Sequence, residues 1–267
     1  MKSTGNYRSG SLHRILSLAI ASAFVGAVVI LGSTNAHAQG SGQGDQWQLS
    51  VTPYVWAAGI KGDSKIGSLP KTSVDLGFDS VLKNLDMSFQ GIVEARRGDW
   101  MFILDGIYVS ISDDKAAPGH LYGGAELKVE QQIIFLAGGY RLLHGPLALD
   151  ALIGARYTSV KTDLTLTPGI LRERGRSYRE EWWDPVLGFQ AQLPLNKGWS
   201  LIGYADVGGF DMGSRLTWQW FAGVNYEISP RFAAKAGYRY LYTDYDKDDF
   251  LYDMTLKGPY LGVSIIF

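Results

Sequence analysis

The last ten residues, Gly258-Pro259-Tyr260-Leu261-Gly262-Val263-Ser264-Ile265-Ile266-Phe267, set the strongest limit on the fold. Apolar residues recur at every second position, Leu261, Val263, Ile265 and Phe267. Between them stand Tyr260, Gly262, Ser264 and one exception, Ile266. That is the two-residue period of a strand with two unlike faces. In an open sheet such a terminal strand would be an aggregation-prone edge. In a barrel it closes against the first strand and no edge is left. The alternation therefore predicts an all-β chain, a single antiparallel up-and-down transmembrane β-barrel closed by its C-terminal strand.

The other end of the chain speaks of export. Lys2, Arg8 and Arg14 precede an apolar, Ala-rich run from Ile15 to Leu31, and Ala36-His37-Ala38 follows. A basic start, an apolar centre and a small-residue site are the parts of a secretory signal peptide. We expect residues 1–38 to be that peptide, cleaved after Ala38. Residues 39–46 should be a flexible lead, and residues 47–267 the barrel. An uncleaved anchor is the alternative, since the apolar run approaches the ~20 residues of a spanning helix.

Composition agrees with a barrel. The chain has 33 Gly, 15 Tyr, 11 Phe and 8 Trp, a balance suited to small residues and aromatic girdles rather than a thick apolar core. It has no cysteine, so disulfides play no part in an exported fold of this size. Basic residues number 25 and acidic 26, and the leader takes three of the basic ones with it. The mildly acidic remainder gives no footing for nucleic acid. Beyond the leader there is no apolar run long enough for a helical span, so a membrane location requires a barrel.

Read in order, the strands begin with Trp47 to Ala57, where Trp47, Leu49, Val51, Pro53 and Val55 oppose Gln48, Ser50, Thr52, Tyr54 and Trp56. Pro53 has no N–H to give and predicts a local distortion. Residues 58–85 read as one long, partly ordered loop. Within it Thr72 to Phe78 is a short strand candidate, and Asp79 to Leu85 a short helix with Asp79 or Ser80 as its cap. Further strands follow, joined by short turns at 97–99, 143–146, 194–198 and 229–231. Longer connections are expected at 113–123, 168–176 and 246–257, with a brief one at 211–213. Bacterial barrels have an even number of strands, both termini on the periplasmic side, and short turns there. The alternation of short and long connections gives ten strands, with eight and twelve left open.

The apolar faces carry Trp47, Trp100, Trp199, Trp218, Trp220, Tyr226, Tyr238 and Tyr240, as expected of girdles at the headgroup level. The opposite faces collect Glu94, Arg96, Asp105, Asp150, Arg156, Asp184, Arg215, Glu227, Lys235 and Arg239, with Glu126, Lys128 and Glu130 in the same class. Mixed charges in a narrow lumen either neutralise one another or form a constriction that selects solutes. Barrels of about eight strands are filled by side chains and open channels appear near ~16, so ten strands favour an occluded lumen over a narrow pathway.

Little in the sequence suggests catalysis. Beyond the leader the histidines are His120 and His144, neither beside a Ser, Asp or metal-ligand pattern. No cofactor or metal site is expected. Asp244, Asp246, Asp248 and Asp249 form an acidic stretch without the glycine and terminal Glu of a calcium loop. Arg172, Arg174, Arg176 and Arg179 are candidates for lipopolysaccharide phosphates.

At Trp183-Asp184-Pro185, Asp206-Val207-Gly208-Gly209-Phe210, Gly237-Tyr238-Arg239-Tyr240 and the closing Gly258-Pro259…Phe267, the chain resembles small proteobacterial outer-membrane β-barrel proteins of the OmpA/OmpW-like kind. The resemblance covers essentially all of residues 47–267. It implies the outer membrane of a Gram-negative cell, export through the general secretory pathway, and Phe267 as a signal to the barrel assembly machinery. Partners on this footing are outer-membrane lipids and lipopolysaccharide, with a monomer expected. It implies no particular activity. Two functional classes stay open: a non-enzymatic structural barrel or narrow pore for small solutes, and a lipid- or lipopolysaccharide-directed enzyme or surface-binding adhesin.

Overall fold

The computed structural model describes residues 46–67, 70–115, 122–168 and 174–267. The expected leader, all of the lead but Gln46, His120 and Arg172 lie outside the described residues. Twelve strands make one antiparallel sheet: β1 Gln48–Trp56, β2 Gly59–Ile66, β3 Thr72–Leu76, β4 Leu85–Arg97, β5 Trp100–Lys115, β6 Tyr122–His144, β7 Ala148–Pro168, β8 Arg174–Pro194, β9 Trp199–Gly209, β10 Leu216–Ser229, β11 Phe232–Lys247 and β12 Phe250–Ile266. The sheet closes where β12 pairs with β1. Ten strands, β1 and β4 to β12, form the barrel, and β2–β3 is an added hairpin on β12.

The hairpin grows out of the closing seam. Tyr54 lies opposite Gly262 and Trp56 opposite Tyr260, and the same register resumes with Gly59 opposite Lys257. β1 and β2 are thus one strand interrupted at Ala57-Ala58, and the partner at the interruption is Pro259. Pro259 has no N–H, so only its carbonyl takes part, accepting from the Ala57 amide at 2.9 Å. Gly258 is required beside it, because a Cβ there would lie 1.9 Å from the Ala57 carbonyl oxygen. On its other edge β1 pairs with β4 only from Gln48 to Pro53, the second proline without a donor.

The segment 58–85, expected as a loop, therefore holds two strands and a short helix. The helix, α1 Phe78–Lys83, starts one residue earlier than expected, with Gly77 rather than Asp79 or Ser80 at its N-cap and no side-chain cap bond. Asp79 falls in the first turn, where a carboxylate still faces the positive end of the helix. The acidic stretch around Tyr245 to Tyr252 is also no loop. β11 and β12 run on to a tight turn at Asp248-Asp249, with Asp248 at φ 53°. The short turns at the terminus end lie where expected, with Gly98, Lys197 and Gly198 at positive φ.

Strand length explains these differences. A crossing needs about 9–11 residues, yet β6 has 23 and β7 and β8 have 21 each. β9, with 11, is close to a bare crossing. The outer band of exposed apolar residues includes Val55, Phe102, Leu136, Ile153, Leu187, Phe189, Leu201, Leu261 and Val263. On β8 it runs from Trp183 to Leu193, while Glu181 and Arg179 share the same outward face further up. Above the band the outer surface turns charged, with Lys128 2.9 Å from Glu130 and Lys161 2.6 Å from Asp163. On the hairpin Lys61 pairs with Asp75 at 3.0 Å and Lys71 with Asp63 at 2.8 Å. Glu126, Lys128 and Glu130 therefore face outward above the band, not into the lumen as expected.

Candidate functional site: the barrel interior

The interior divides into two halves of opposite character. Near the loop end, inward side chains form one apolar cluster that includes Tyr54, Trp56, Ile107, Ile133, Val160, Trp182, Leu241, Tyr245, Phe250, Met254 and Leu256. Trp182 stacks on Tyr245 at 4.2 Å between ring centroids, and Tyr178 on Phe250 at 5.6 Å. The Tyr245 hydroxyl donates to Glu180 at 2.7 Å and Gln131 donates to the Tyr252 hydroxyl at 2.6 Å. These contacts tie upper β8 and β6 to upper β11 and β12 across the mouth. Ile60, Ile66 and Val74 of the hairpin pack against the same cluster. The cluster is a plug, and the β2–β3 hairpin is part of its wall.

Beneath it the interior is polar and ion-paired. Arg239, 5% exposed, donates to Asp105 at 2.7 Å, to the Tyr54 hydroxyl at 2.9 Å and to Gln219 at 3.1 and 2.8 Å. The Tyr54 hydroxyl in turn donates to the other Asp105 oxygen at 2.6 Å, and the Arg239 guanidinium lies 4.8 Å from the Trp56 ring centroid. Arg156, 1% exposed, reaches Asp206 at 2.6 Å and Thr217 at 2.8 Å, and the Tyr204 hydroxyl shares Asp206 at 2.5 Å. Asp150 binds Arg96 at 2.9 Å and Arg141 at 2.5 Å, with Glu94 3.5 Å from Arg96. Asp184 accepts from the Trp182 indole at 3.1 Å and from the Ser214 amide at 2.6 Å. Buried charge of this density persists only when each member is paired and hydrogen-bonded.

Of the residues expected in the lumen, Glu94, Arg96, Asp105, Asp150, Arg156, Asp184, Glu227, Lys235 and Arg239 are inward. Arg215 is the exception: it stands at the loop end, half exposed, 2.8 Å from Asp244. The expected girdle residues all face out. Trp47, Trp100, Trp199 and Tyr226 are exposed near the terminus end, while Trp218, Trp220, Tyr238 and Tyr240 stack with one another along β10 and β11. Tyr157 and Trp183, 5.0 Å apart, continue the upper row and were legible from the alternation of β7 and β8. Tyr54 and Trp56 are interior residues that alternation also placed inward, whereas Tyr204 and Trp182 are interior residues that the sequence analysis did not single out.

A cavity of about 400 Å³ fills the terminus half of the interior below the Arg239 network. Gln48, Glu94, Gln192, Asn225, Glu227 and Lys235 are among its lining residues. His144 is far from it in role, sitting 2.6 Å from Asp99 across two neighbouring turns. Among the described residues no cluster of His, Asp or Glu is arranged to hold a metal ion, and no hydroxyl is bonded to a histidine.

No family model matches this sequence, and no curated protein matches it. Among solved structures, the outer membrane protease OmpT from Escherichia coli is similar, with a TM-score of 0.52 at 10% identity over 87% of this chain and 100% of that one. The translocator domain of the autotransporter NalP from Neisseria meningitidis gives 0.41 at 13% identity, covering 95% and 99%. Ail of Yersinia pestis gives 0.34 at 14%, covering 84% and 99%. The first likeness is one of fold, and with the outer apolar band it defines the class: an outer-membrane β-barrel.

Proposed function

We propose that the protein is a closed, non-enzymatic barrel of the Gram-negative outer membrane, serving the envelope structurally rather than as a diffusion pore. The plug carries this reading. Leu241 is 1% exposed, Phe250 and Tyr245 2% each, and Trp182 4%, so the loop half is packed as a protein core is. The Arg239 and Arg156 networks support it from below, since each guanidinium is ion-paired inside the wall, with one Asp206 oxygen left without a hydrogen bond. The Asp105 and Asp206 carboxylates are each held by an arginine and a tyrosine hydroxyl, which speaks against an acid–base pair poised for chemistry.

Planar-bilayer recording with the purified protein tests the reading. The wild type should give no unitary steps over a range of salts. Replacing Trp182, Tyr245 and Phe250 together by alanine should produce them. Regular unitary steps from the wild type overturn it. Export through residues 1–38 and insertion through Phe267 belong to the same proposal. Phe267 is half exposed and its amide donates to the Leu49 carbonyl at 2.9 Å, so its deletion should lower outer-membrane levels while the isolated barrel keeps its heat-modifiable gel mobility.

A further inference from the structure

Among the described residues, the cavity in the terminus half holds one inward cation with neither a hydrogen bond nor a close ion pair, although Glu94 attracts it at longer range. Lys235 points inward from β11, flanked across the ladder by Asn225 and Gly262, neither of them acidic. Among the described residues no carboxylate lies within ion-pair distance of its ammonium and no hydrogen bond is made to it. The other inward cations are engaged: Arg96 and Arg141 by Asp150, Arg156 by Asp206, and Arg239 by Asp105. A half-buried ammonium that feels Glu94 only at longer range and makes no hydrogen bond, in a cavity that reaches the rim at Gln48 and Glu227, keeps its donors free for an anion.

The walls narrow the ligand. Phe221 lies over two bare backbones: a Cβ at Gly223 would come 2.8 Å from its ring, and so would one at Gly237. The same ring meets Tyr260 edge to face at 5.1 Å, and Phe135 meets Tyr204 in the same way at 6.0 Å. All four line the cavity. They offer flat apolar surface one level above Lys235, with the amides of Gln190, Gln192 and Asn225 around it. Glu94 and Glu227 share the lining and would repel a second negative charge. A volume of about 400 Å³ lies within the ~300–1,000 Å³ of small-molecule sites.

We infer that this cavity is a binding cup, open at the terminus end, for a small monocarboxylate with an apolar or aromatic body. The carboxylate takes Lys235 and the body lies against Phe221 and Tyr260. The cup does not depend on the state of the plug, because a closed mouth makes it a dead end and an open one makes it a way-station. Conductance and binding therefore fail separately.

The test uses the purified full-length barrel in detergent and fluorine NMR of 4-fluorobenzoate, with 4-fluorobenzamide as the neutral analogue. The acid should bind saturably, and the amide about tenfold more weakly or worse, the usual reach of a charge-assisted hydrogen bond. Lys235→Met should abolish that preference and Lys235→Arg should keep it, with heat-modifiable mobility confirming that each variant is folded. Should Lys235→Met not insert, the acid–amide contrast in the wild type and in Lys235→Arg still decides. Equal binding of acid and amide, no saturable binding of the acid, or a preference that survives in Lys235→Met overturns the inference.

Discussion

The two halves of this barrel obey opposite rules. In the terminus half the outside is apolar and the inside holds Arg96, Asp105, Asp150, Arg156, Asp206 and Arg239. In the loop half the inside is Trp182, Leu241, Phe250, Met254 and Leu256, and the outside is Lys61, Asp63, Lys128, Glu130, Lys161 and Asp163. The strands are continuous across the change, so the backbone ladder does not register it. What changes is the solvent. Where lipid surrounds the wall, apolar side chains face outward and polar ones are driven inward to pair. Where water surrounds it, the same two-residue alternation turns its apolar side inward and packs as an ordinary soluble barrel does.

The largest expected effect lies at the boundary. Arg239→Met leaves Asp105 buried without its cation and should cost about 3–5 kcal/mol, whereas adding Asp105→Leu should recover much of the loss. Urea midpoints in detergent measure both, and a single variant as stable as the double would show that the pair is not desolvated. Next come matched truncations in the two halves. Leu241→Ala in the plug should cost about 2–5 kcal/mol. Ile202→Ala, on the cavity wall, should cost clearly less, since its side chain is only partly buried and borders the cavity. Equal costs would erase the distinction between a packed half and a hollow one.

A smaller effect separates the two exteriors. Lys71 and Ser73 hold the Asp63 carboxyl below the usual carboxylate range. A depressed acid contributes stability above the ordinary pKa of about 4 and loses it as pH falls through that range, because protonation then favours the unpaired state. Amides of the β2–β3 hairpin should therefore exchange faster below pH ~4 while those of β10 and β11 do not. Smallest of all, Lys161→Ala should change stability by less than about 1 kcal/mol, since an ion pair at a wetted surface is largely screened. A loss comparable to that of Leu241→Ala would mean the charged exterior is less solvated than its exposure implies.

Much of the terminus half was legible in the sequence. Alternation in Trp47 to Trp56, Leu216 to Ile228 and, but for Ile266, Leu261 to Phe267 shows which side chains face lipid, and Gly98-Asp99 and Pro230-Arg231 mark the turns. The loop half was harder for a physical reason. Once both inward and outward residues carry apolar or aromatic groups, as in Tyr238 to Tyr245, alternation no longer distinguishes polar from apolar faces. Composition then points to a connection at 246–257, because Asp244, Asp246 and Asp248 dominate the local sequence. The inner partners of those acids, Tyr245 and Phe250, contact Trp182 from more than sixty positions away in the chain, a pairing that no local pattern carries. Arg215 misled for the opposite reason: it continues the inward parity of β10, yet it stands one residue before the ladder begins, where a side chain is free to turn outward.

The proline opposite the interrupted seam has a consequence for how the barrel can close. A strand that pairs through evenly repeating amides could slide by two residues against its neighbour and keep its faces. Pro259 restricts that freedom, because it stands opposite Ala57-Ala58, one of two places where the regular ladder lapses, the other being Thr52-Pro53. Shifted by two in either direction, the proline would meet a residue whose hydrogen bond it cannot return, and Gly258 would give up its place beside the Ala57 carbonyl to Tyr260 or Leu256. The closing strand thus carries a notch that fits a gap in the first.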